Sequence, residues 1–517
     1  MKLKRTRRTR TTAELWKSEV IARLKEPRCW VCAHLLREVN RDFFWFVNEQ
    51  YYEIGVIDKM RLAYGFCPTH TRYFLETDAR SANVTVFSYV TWYVVTRLNA
   101  ARDLLVLKSG KEEPRLLCRQ AFELLRPQNA CPMCSGLDQT EGIEISMLAS
   151  ALAIDEVKTA YEESVGLCIP HFRQAGFRSD WDLLVFLCGD LQRRLSAKTI
   201  PARGSAALLE QAIGLDQEHA LRLRDDSKSK DSPSDKSGPH LQTYIEPTPL
   251  NPFWSPTFHE ILKSLAEPGC PVCRACAQGV HGYFDWLGNQ MDAQPSLSSN
   301  WDPSWHVCST HLWELYAAGH QSGAMLIGRH TIHQWLERLD RLAARLKKKP
   351  AEGSLERLRQ AFLIWCGARA YDSDEESDGR RSRWSKVTAV LESPQTRMDD
   401  LREVAFRADL CQACAHVQTI THRTLDLILR ALEDPNGRKA YHAASGLCLR
   451  HCVEAAKLAE VPAALLEILS AQIARLRVLE WELQEASRKD NWSVRYEPKG
   501  PEKDVWRRAA YQFCGVG

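Results

Sequence analysis

Apolar residues recur at three- and four-residue steps along much of this 517-residue chain. One stripe contains Ile332, Leu336 and Leu339, and another runs from Leu469 to Leu483. This spacing is typical of amphipathic α-helices. The segment 81–95 is rich in β-branched and aromatic residues, as strands are, but its place between two cysteine motifs favours a buried helix. The pattern predicts an all-α fold.

Four sets of cysteine and histidine residues lie within this helical pattern. In each set a Cys-x-x-Cys pair is followed, after 33 or 34 intervening residues, by Cys-x-x-His. Three thiolates and one imidazole form the ligand set of a closed tetrahedral zinc site. We therefore predict four structural zinc ions, one for each set. The sets are Cys29, Cys32, Cys67 and His70; Cys131, Cys134, Cys168 and His171; Cys270, Cys273, Cys308 and His311; and Cys411, Cys414, Cys448 and His451.

Both halves of a set are expected to begin helices. Pro132 and Pro271 each follow a first cysteine directly, and proline is common at the first position of a helix. The free N–H groups and the dipole of a helix start stabilise thiolates. The intervening residues suffice for one helix to run out and a second to return. Each metal is therefore predicted to staple the base of a helical hairpin.

The fold class predicted is all-α, with four zinc-stapled helical-hairpin modules in two tandem pairs, which suggests a tandem duplication. The third module is the least regular, because 291–305 is loop-like, so its site is the candidate for an altered one. The predicted divisions are a basic arm and lead-in helix at 1–26, module 1 at 27–115, module 2 at 116–200, a flexible linker at 201–250, module 3 at 251–355, a linker with an acidic loop at 356–400, and module 4 with a C-terminal helix and tail at 401–517.

The net charge of +4 is concentrated at the start of the chain. This arm makes nucleic acid a candidate partner, although a solvated tail is an equally good interpretation. Its cationic residues are Lys2, Lys4, Arg5, Arg7, Arg8 and Arg10.

No apolar signal-peptide core follows the arm. The longest uncharged stretch, Ser81 to Thr96, is too short to span a membrane. Six cysteines lie outside the sets without a disulfide-like pattern, so a cytoplasmic location and no membrane association are expected. They are Cys118, Cys188, Cys276, Cys366, Cys452 and Cys514.

Other metal and redox chemistries are weaker interpretations of the sets. No Cys-x-x-Cys is followed directly by His, which excludes c-type haem attachment. The CPMC and CPVC pairs resemble thioredoxin-like redox motifs, but the βαβ context is absent. An iron–sulfur cluster with a histidine ligand stays open as a minority alternative to zinc.

The motifs resemble those of a group of uncharacterised bacterial proteins built from repeated CPxC…GLCxxH zinc-binding helical modules. YGFCPTH and SGLCLRH are the closest matches, whereas CWVC and CQAC in the first and fourth sets lack the proline. The ending 482–515 also resembles their closing segment. The resemblance implies a helical, metal-stapled fold and carries no established activity.

Three functions follow as hypotheses. The leading one is a non-enzymatic zinc-binding helical scaffold for a macromolecular partner, either protein or nucleic acid. The second is a thiol- or zinc-responsive sensor or regulator. The third is an enzyme whose zinc is purely structural, and its weak candidate residues lie in the tail. They are Arg495, Glu497, Asp504, Trp506 and Arg507.

Overall fold

The computed structural model describes residues 12–196, 205–215, 256–293, 307–346 and 411–515. Within these ranges the chain forms twenty α-helices and no β-strand, so the all-α prediction is confirmed. Several predictions fall outside the described residues. They concern the basic arm, most of the loop-like stretch 291–305, most of the linker 201–250, the whole of the linker 356–400, and Cys366.

The first half of the chain contains eleven of the described α-helices. They are α1 (Thr12–Leu24), α2 (Trp30–Trp45), α3 (Ile54–Leu62), α4 (Pro68–Glu76), α5 (Arg80–Lys108), α6 (Pro114–Leu125), α7 (Pro132–Ala151), α8 (Asp155–Glu163), α9 (Ile169–Arg178), α10 (Trp181–Ser196) and α11 (Ser205–Ile213). Helix α2 continues into a π-helical turn, Phe46–Gln50. Helix α11 lies inside the predicted linker 201–250 and is buried along one face.

Nine further α-helices form the described part of the second half. They are α12 (Pro256–Ala266), α13 (Pro271–Ala293), α14 (Ser309–Ala317), α15 (Gln321–Leu346), α16 (Gln412–Ala431), α17 (Pro435–Ala443), α18 (Leu449–Leu458), α19 (Pro462–Lys489) and α20 (Val505–Cys514). A 3-10 turn, Pro501–Asp504, precedes α20. Helix α19 begins at Pro462, and proline is favoured at the first position of a helix.

The chain divides into two compact units, each assembled from three separate segments. Of the described residues, those within 1–34, 141–215 and 291–411 form unit 1, and those within 35–140, 216–290 and 412–517 form unit 2. Each unit therefore takes segments from both halves of the sequence. Residues far apart in sequence therefore share one compact unit.

Unit 2 is built around the two long helices α5 and α19, which pack along each other. The 81–95 segment lies within α5, as predicted, and its apolar residues are buried there. Phe43 and Phe46 of the aromatic run 43–52 join the same core, whereas Phe44 and Tyr52 are exposed. The run is thus partly core and partly surface.

Unit 1 has a similar plan around α15, which packs against α10, α11 and α14. Ile327, Leu339 and Leu342 are buried along its apolar stripe. Trp335 of α15 meets Phe172 of α9 edge-on, with ring centroids 6.2 Å apart. In both units a helix that follows a Cys-x-x-His pair forms the centre of the packing.

Candidate metal centres

Every cysteine pair and every Cys-x-x-His pair lies at the start of an α-helix. In all eight cases the helix begins at the residue after the first cysteine. Cys67, Cys168, Cys308 and Cys448 are helix N-caps with extended backbone. The second ligand, three residues later, therefore lies one turn into the helix beside the first. The predicted helix starts are confirmed.

The sixteen predicted residues form four groups of three cysteines and one histidine. Within each group the ligand atoms all lie within 4.8 Å of one another, which suits a single four-coordinate metal ion. We call the groups sites A to D. Site A is Cys29, Cys32, Cys168 and His171; site B is Cys67, His70, Cys131 and Cys134; site C is Cys270, Cys273, Cys448 and His451; and site D is Cys308, His311, Cys411 and Cys414.

The predicted pairing within each set is wrong. No site combines a Cys-x-x-Cys pair with the Cys-x-x-His pair that follows it 33 or 34 residues later. In the first half of the chain, site A joins the Cys-x-x-Cys pair of the first set to the Cys-x-x-His pair of the second set, and site B joins the two remaining pairs. In the second half, sites C and D do the same with sets three and four. Each metal would therefore join two sets rather than close one hairpin.

Helix length explains the exchange. The helical stretch after Cys29 contains 21 residues, from Trp30 to Gln50, and spans about 31 Å at 1.5 Å per residue. The returning helix α3 has nine residues and covers about 14 Å. The same imbalance separates α7 from α8 and α16 from α17. In these three sets the short second helix thus does not bring the chain back to its own cysteine pair.

Site A is the most enclosed of the four groups, since all its members are buried. His171 Nδ1 lies 3.4 Å from Cys29 Sγ, 3.3 Å from Cys32 Sγ and 3.2 Å from Cys168 Sγ. Its other ring nitrogen, Nε2, is 3.5 Å from Glu141 Oε1. A carboxylate at this position orients a ligating histidine and raises its basicity.

A partly buried ion network lies beside the cysteine pair of site A. Arg23 Nη2 donates to Glu144 Oε2 at 2.7 Å, and His34 Nε2 lies 3.2 Å from Glu144 Oε1. The Arg23 guanidinium also stacks over the Trp30 ring at 3.9 Å. Because Trp30 and His34 lie on α2 and Glu144 lies on α7, this network ties both helices to α1.

Sites B and C repeat the geometry of site A. In site B, His70 Nδ1 is 3.2 Å from Cys67 Sγ and 3.4 Å from Cys134 Sγ. In site C, His451 Nδ1 is 3.3 Å from Cys273 Sγ and 3.2 Å from Cys448 Sγ. The histidine thus offers Nδ1 towards the sulfur atoms in both sites.

The titration of site B reflects the crowding of its donors. Burial disfavours the imidazolium of His70. Hydrogen bonds and charge from the sulfur atoms of Cys131 and Cys67 outweigh this effect and raise the pKa of His70 to about 9. The same crowding lowers the pKa of Cys131 through contacts with Cys134 and Cys67. The same contacts raise the pKa of Cys134, because thiolates this close repel each other, and a cation among the donors would relieve that repulsion.

Site D is the most exposed group. Cys411 is buried, Cys308 and His311 are half-buried, and Cys414 is exposed. His311 Nδ1 lies 3.2 Å from Cys308 Sγ and 3.6 Å from Cys411 Sγ. The irregular third set therefore does not form one altered site. Its cysteine pair completes site C, and its Cys-x-x-His pair belongs to site D.

The turn before the Cys-x-x-His pair has the same hydrogen bonds in sites A and C. The spacing of the cysteines gave no indication of this turn. Arg194 Nη2 donates to Tyr161 O at 2.7 Å in site A, and Arg475 Nη2 donates to Tyr441 O at the same distance in site C. Each guanidinium also lies over the ring of that tyrosine. The signal in the sequence is the matching pair AYEESVGLC and AYHAASGLC.

The described cysteines outside the four sites are buried or half-buried free thiols. Burial raises the pKa of Cys188, Cys452 and Cys514 to about 12 and that of Cys118 to about 11. Cys276 lies 3.2 Å from Thr421 Oγ1, and burial raises its pKa too. Thiols held protonated in this way are poor nucleophiles. We therefore interpret these five cysteines as packing residues.

The candidate catalytic residues of the tail do not converge. Glu497 pairs with Arg488, and Asp504 pairs with Arg508. Trp506 is buried in the core, whereas the remaining two candidates, Arg495 and Arg507, lie over the rings of Tyr496 and Trp506 respectively. Apart from Arg507 and Trp506, which contact each other, each candidate thus has a partner outside the set.

Comparison of the chain with protein-family models, with curated proteins and with solved structures finds no match. Among the described helices, none combines the length and apolarity that crossing a membrane requires. The function must therefore be argued from the four sites themselves.

Proposed function

We propose that this protein is a non-enzymatic helical scaffold, stabilised by four zinc ions, that binds a macromolecular partner. The observation that supports it best is the completeness of all four sites. With three sulfur atoms and one nitrogen, a tetrahedral ion has its full coordination from the protein and no position for water or substrate. Closed sites of this kind are structural.

The donor spacing fits zinc. Bond lengths of about 2.3 Å to sulfur and 2.0–2.1 Å to nitrogen place tetrahedral donors about 3.8 Å apart for two sulfurs and about 3.5 Å apart for sulfur and nitrogen. The sulfur pairs Cys32–Cys168 and Cys273–Cys448 are 3.7 and 3.8 Å apart. Elemental analysis of the purified chain tests the assignment. Four zinc ions per chain support it, whereas iron, or two or fewer zinc ions, contradicts it.

The partner is the second part of the proposal. The cationic residues Lys2 to Arg10 favour nucleic acid among the candidates. Deleting residues 2–10 is expected to weaken binding to DNA or RNA and to flatten its dependence on salt. If the full chain binds no nucleic acid, or the deletion changes nothing, a protein partner is favoured, and copurified proteins identified by mass spectrometry are the next candidates.

We further infer that the chain arose by tandem duplication and resides in the cytoplasm. Sites A and C have the same turn built from tyrosine and arginine, and the exchange of pairs is the same in both halves. A reducing compartment keeps the ligand thiols available for metal.

A second candidate function, a thiol- or zinc-responsive sensor, is favoured by one observation. Cys414 of site D is exposed, whereas every ligand of site A is buried. Oxidation of zinc-bound thiolates releases the metal. Reversible loss of one zinc per chain at low peroxide supports the sensor, and full retention of zinc contradicts it.

A further inference from the structure

The ends of α11 and α20 carry the same four-residue pattern, Gln-x-x-Gly. The first is Gln211 to Gly214 and the second is Gln512 to Gly515. In each case the helix ends at the residue before the glycine, and the glycine adopts positive φ. Neither pattern belongs to a cysteine set, yet each lies against a metal site in its own unit.

Gly515 lies directly over site C. A Cβ atom at this position would lie 2.4 Å from Cys273 Sγ and 2.8 Å from Cys448 Sγ, well inside van der Waals contact. Its φ of +66° is also disfavoured for other residues. The backbone at Gly515 is therefore closer to two ligand sulfurs than any residue with a side chain could be.

Gly214 occupies the corresponding position over site A with more room. Its φ is +76°, and a Cβ would lie 3.5 Å from Cys168 Sγ and 3.9 Å from Cys32 Sγ. Trp313 Nε1 donates to Gly214 O at 3.1 Å and holds the segment in place. Gly214 and Gly515 thus both bring a Cβ position within 4 Å of a ligand sulfur.

The glutamine of each pattern holds the turn that leads into the histidine pair. Gln211 Nε2 donates to Leu167 O at 2.9 Å, and Gln512 Nε2 donates to Leu447 O at 2.9 Å. Leu167 and Leu447 each precede the first cysteine of a Cys-x-x-His pair. The two hydrogen bonds thus fix the helix start from which two of the four ligands project.

We propose that these two segments are closing elements of sites A and C. The glutamine positions the histidine-bearing turn, and the glycine backbone covers the sulfur atoms and limits the escape of metal and the entry of competing ligands. Residues that orient metal ligands in this way typically change metal affinity by about 10–100-fold. This inference rests on the proposed zinc binding and adds residues to it that are not ligands.

Gly515→Ala in the full chain tests the proposal. The new methyl group displaces Cys273 or Cys448, so zinc at site C is expected to transfer to a chromophoric chelator about tenfold faster or more. Gly214→Ala, with its wider clearance, is expected to speed release from site A by less. Zinc content by mass spectrometry and the absorption bands of the cobalt-substituted protein report on the ligand set directly.

Gly110→Ala is the matched control. Gly110 has a φ of +74°, but a Cβ there would meet nothing within 4 Å. It imposes the same backbone strain without touching a site, and its zinc release is expected to equal that of the parent chain. Gln512→Met removes the hydrogen bond alone and is expected to speed release from site C even if Gly515→Ala fails to fold.

The outcomes separate this inference from the proposed function. A parent chain without zinc overturns both. A parent chain with four zinc ions overturns this inference alone if Gln512→Met and every folded glycine variant release zinc at the parental rate, or if Gly110→Ala speeds release as much as Gly515→Ala does.

Discussion

Sites A and D have the same ligand types but very different surroundings. In site A all four ligands are buried, Glu141 lies behind His171, and Gly214 covers two sulfurs. In site D, Cys414 is exposed and Glu314 is 3.9 Å from His311 Nε2. Identical ligand sets can therefore differ in how tightly the protein encloses them. We expect site A to be architectural and site D to be the more labile.

Removing one ligand from each site gives the largest expected contrast. Cys32→Ser should cost about 4 kcal/mol or more of unfolding free energy, because a buried metal and its supporting core are lost together. Cys414→Ser, which also changes the second residue of a cysteine pair, should cost about 1–2 kcal/mol. Urea unfolding with zinc analysis measures both. Equal costs would mean that exposure does not reflect the contribution of each site.

The ion network behind site A should be the next most sensitive feature. Glu144→Gln leaves the half-buried Arg23 guanidinium beside a neutral amide, so a loss of about 2 kcal/mol is expected. The control is Glu337→Gln on α15, where Glu337 and His333 are largely exposed. There we expect no measurable change in thermal unfolding. A silent Glu144→Gln would show that the network does not support site A.

Metal release should follow the same order. With dilute peroxide or a competing chelator, zinc should leave site D about tenfold faster than site A, since an exposed thiolate is open to attack. Native mass spectrometry follows the loss of successive zinc ions, and Cys414→Ser identifies the first site to empty. If the Cys32→Ser chain lacks the fastest phase instead, the order of the two sites is reversed.

The smallest effect is expected at a cysteine that is not a ligand. Cys188 lies buried in α10, and burial raises its pKa to about 12. Cys188→Ala should keep the full zinc content and cost about 1 kcal/mol through a small cavity. Loss of one zinc from this variant would show that Cys188 is a metal ligand, and the comparison of sites A and D would then have to include it.

Much of this architecture could be predicted from local pattern. All sixteen residues of the four groups were predicted as ligands, and all eight helix starts followed from cysteine and proline positions. Both are local properties, because a ligand pair one turn apart and a helix N-terminus each depend on a few consecutive residues. The buried helix at 81–95 followed from its position between motifs.

The partner of each cysteine pair could not be predicted. A spacing of 33 or 34 residues allows a hairpin that closes on itself and equally a long helix followed by a short one. The structure has the second arrangement, because 21 helical residues follow Cys29 and only nine form α3. Spacing alone does not contain the direction of these helices in space.

The sequence by itself determined which residues can bind metal, that they begin helices, and that the fold is helical, since periodicity and ligand chemistry act over short distances. The tertiary structure alone decided which sets share a site, that Cys414 is exposed, and that Gly214 and Gly515 cover sulfur atoms. These depend on contacts between residues more than forty positions apart. Such contacts are set by the packing of whole helices, which no local pattern records.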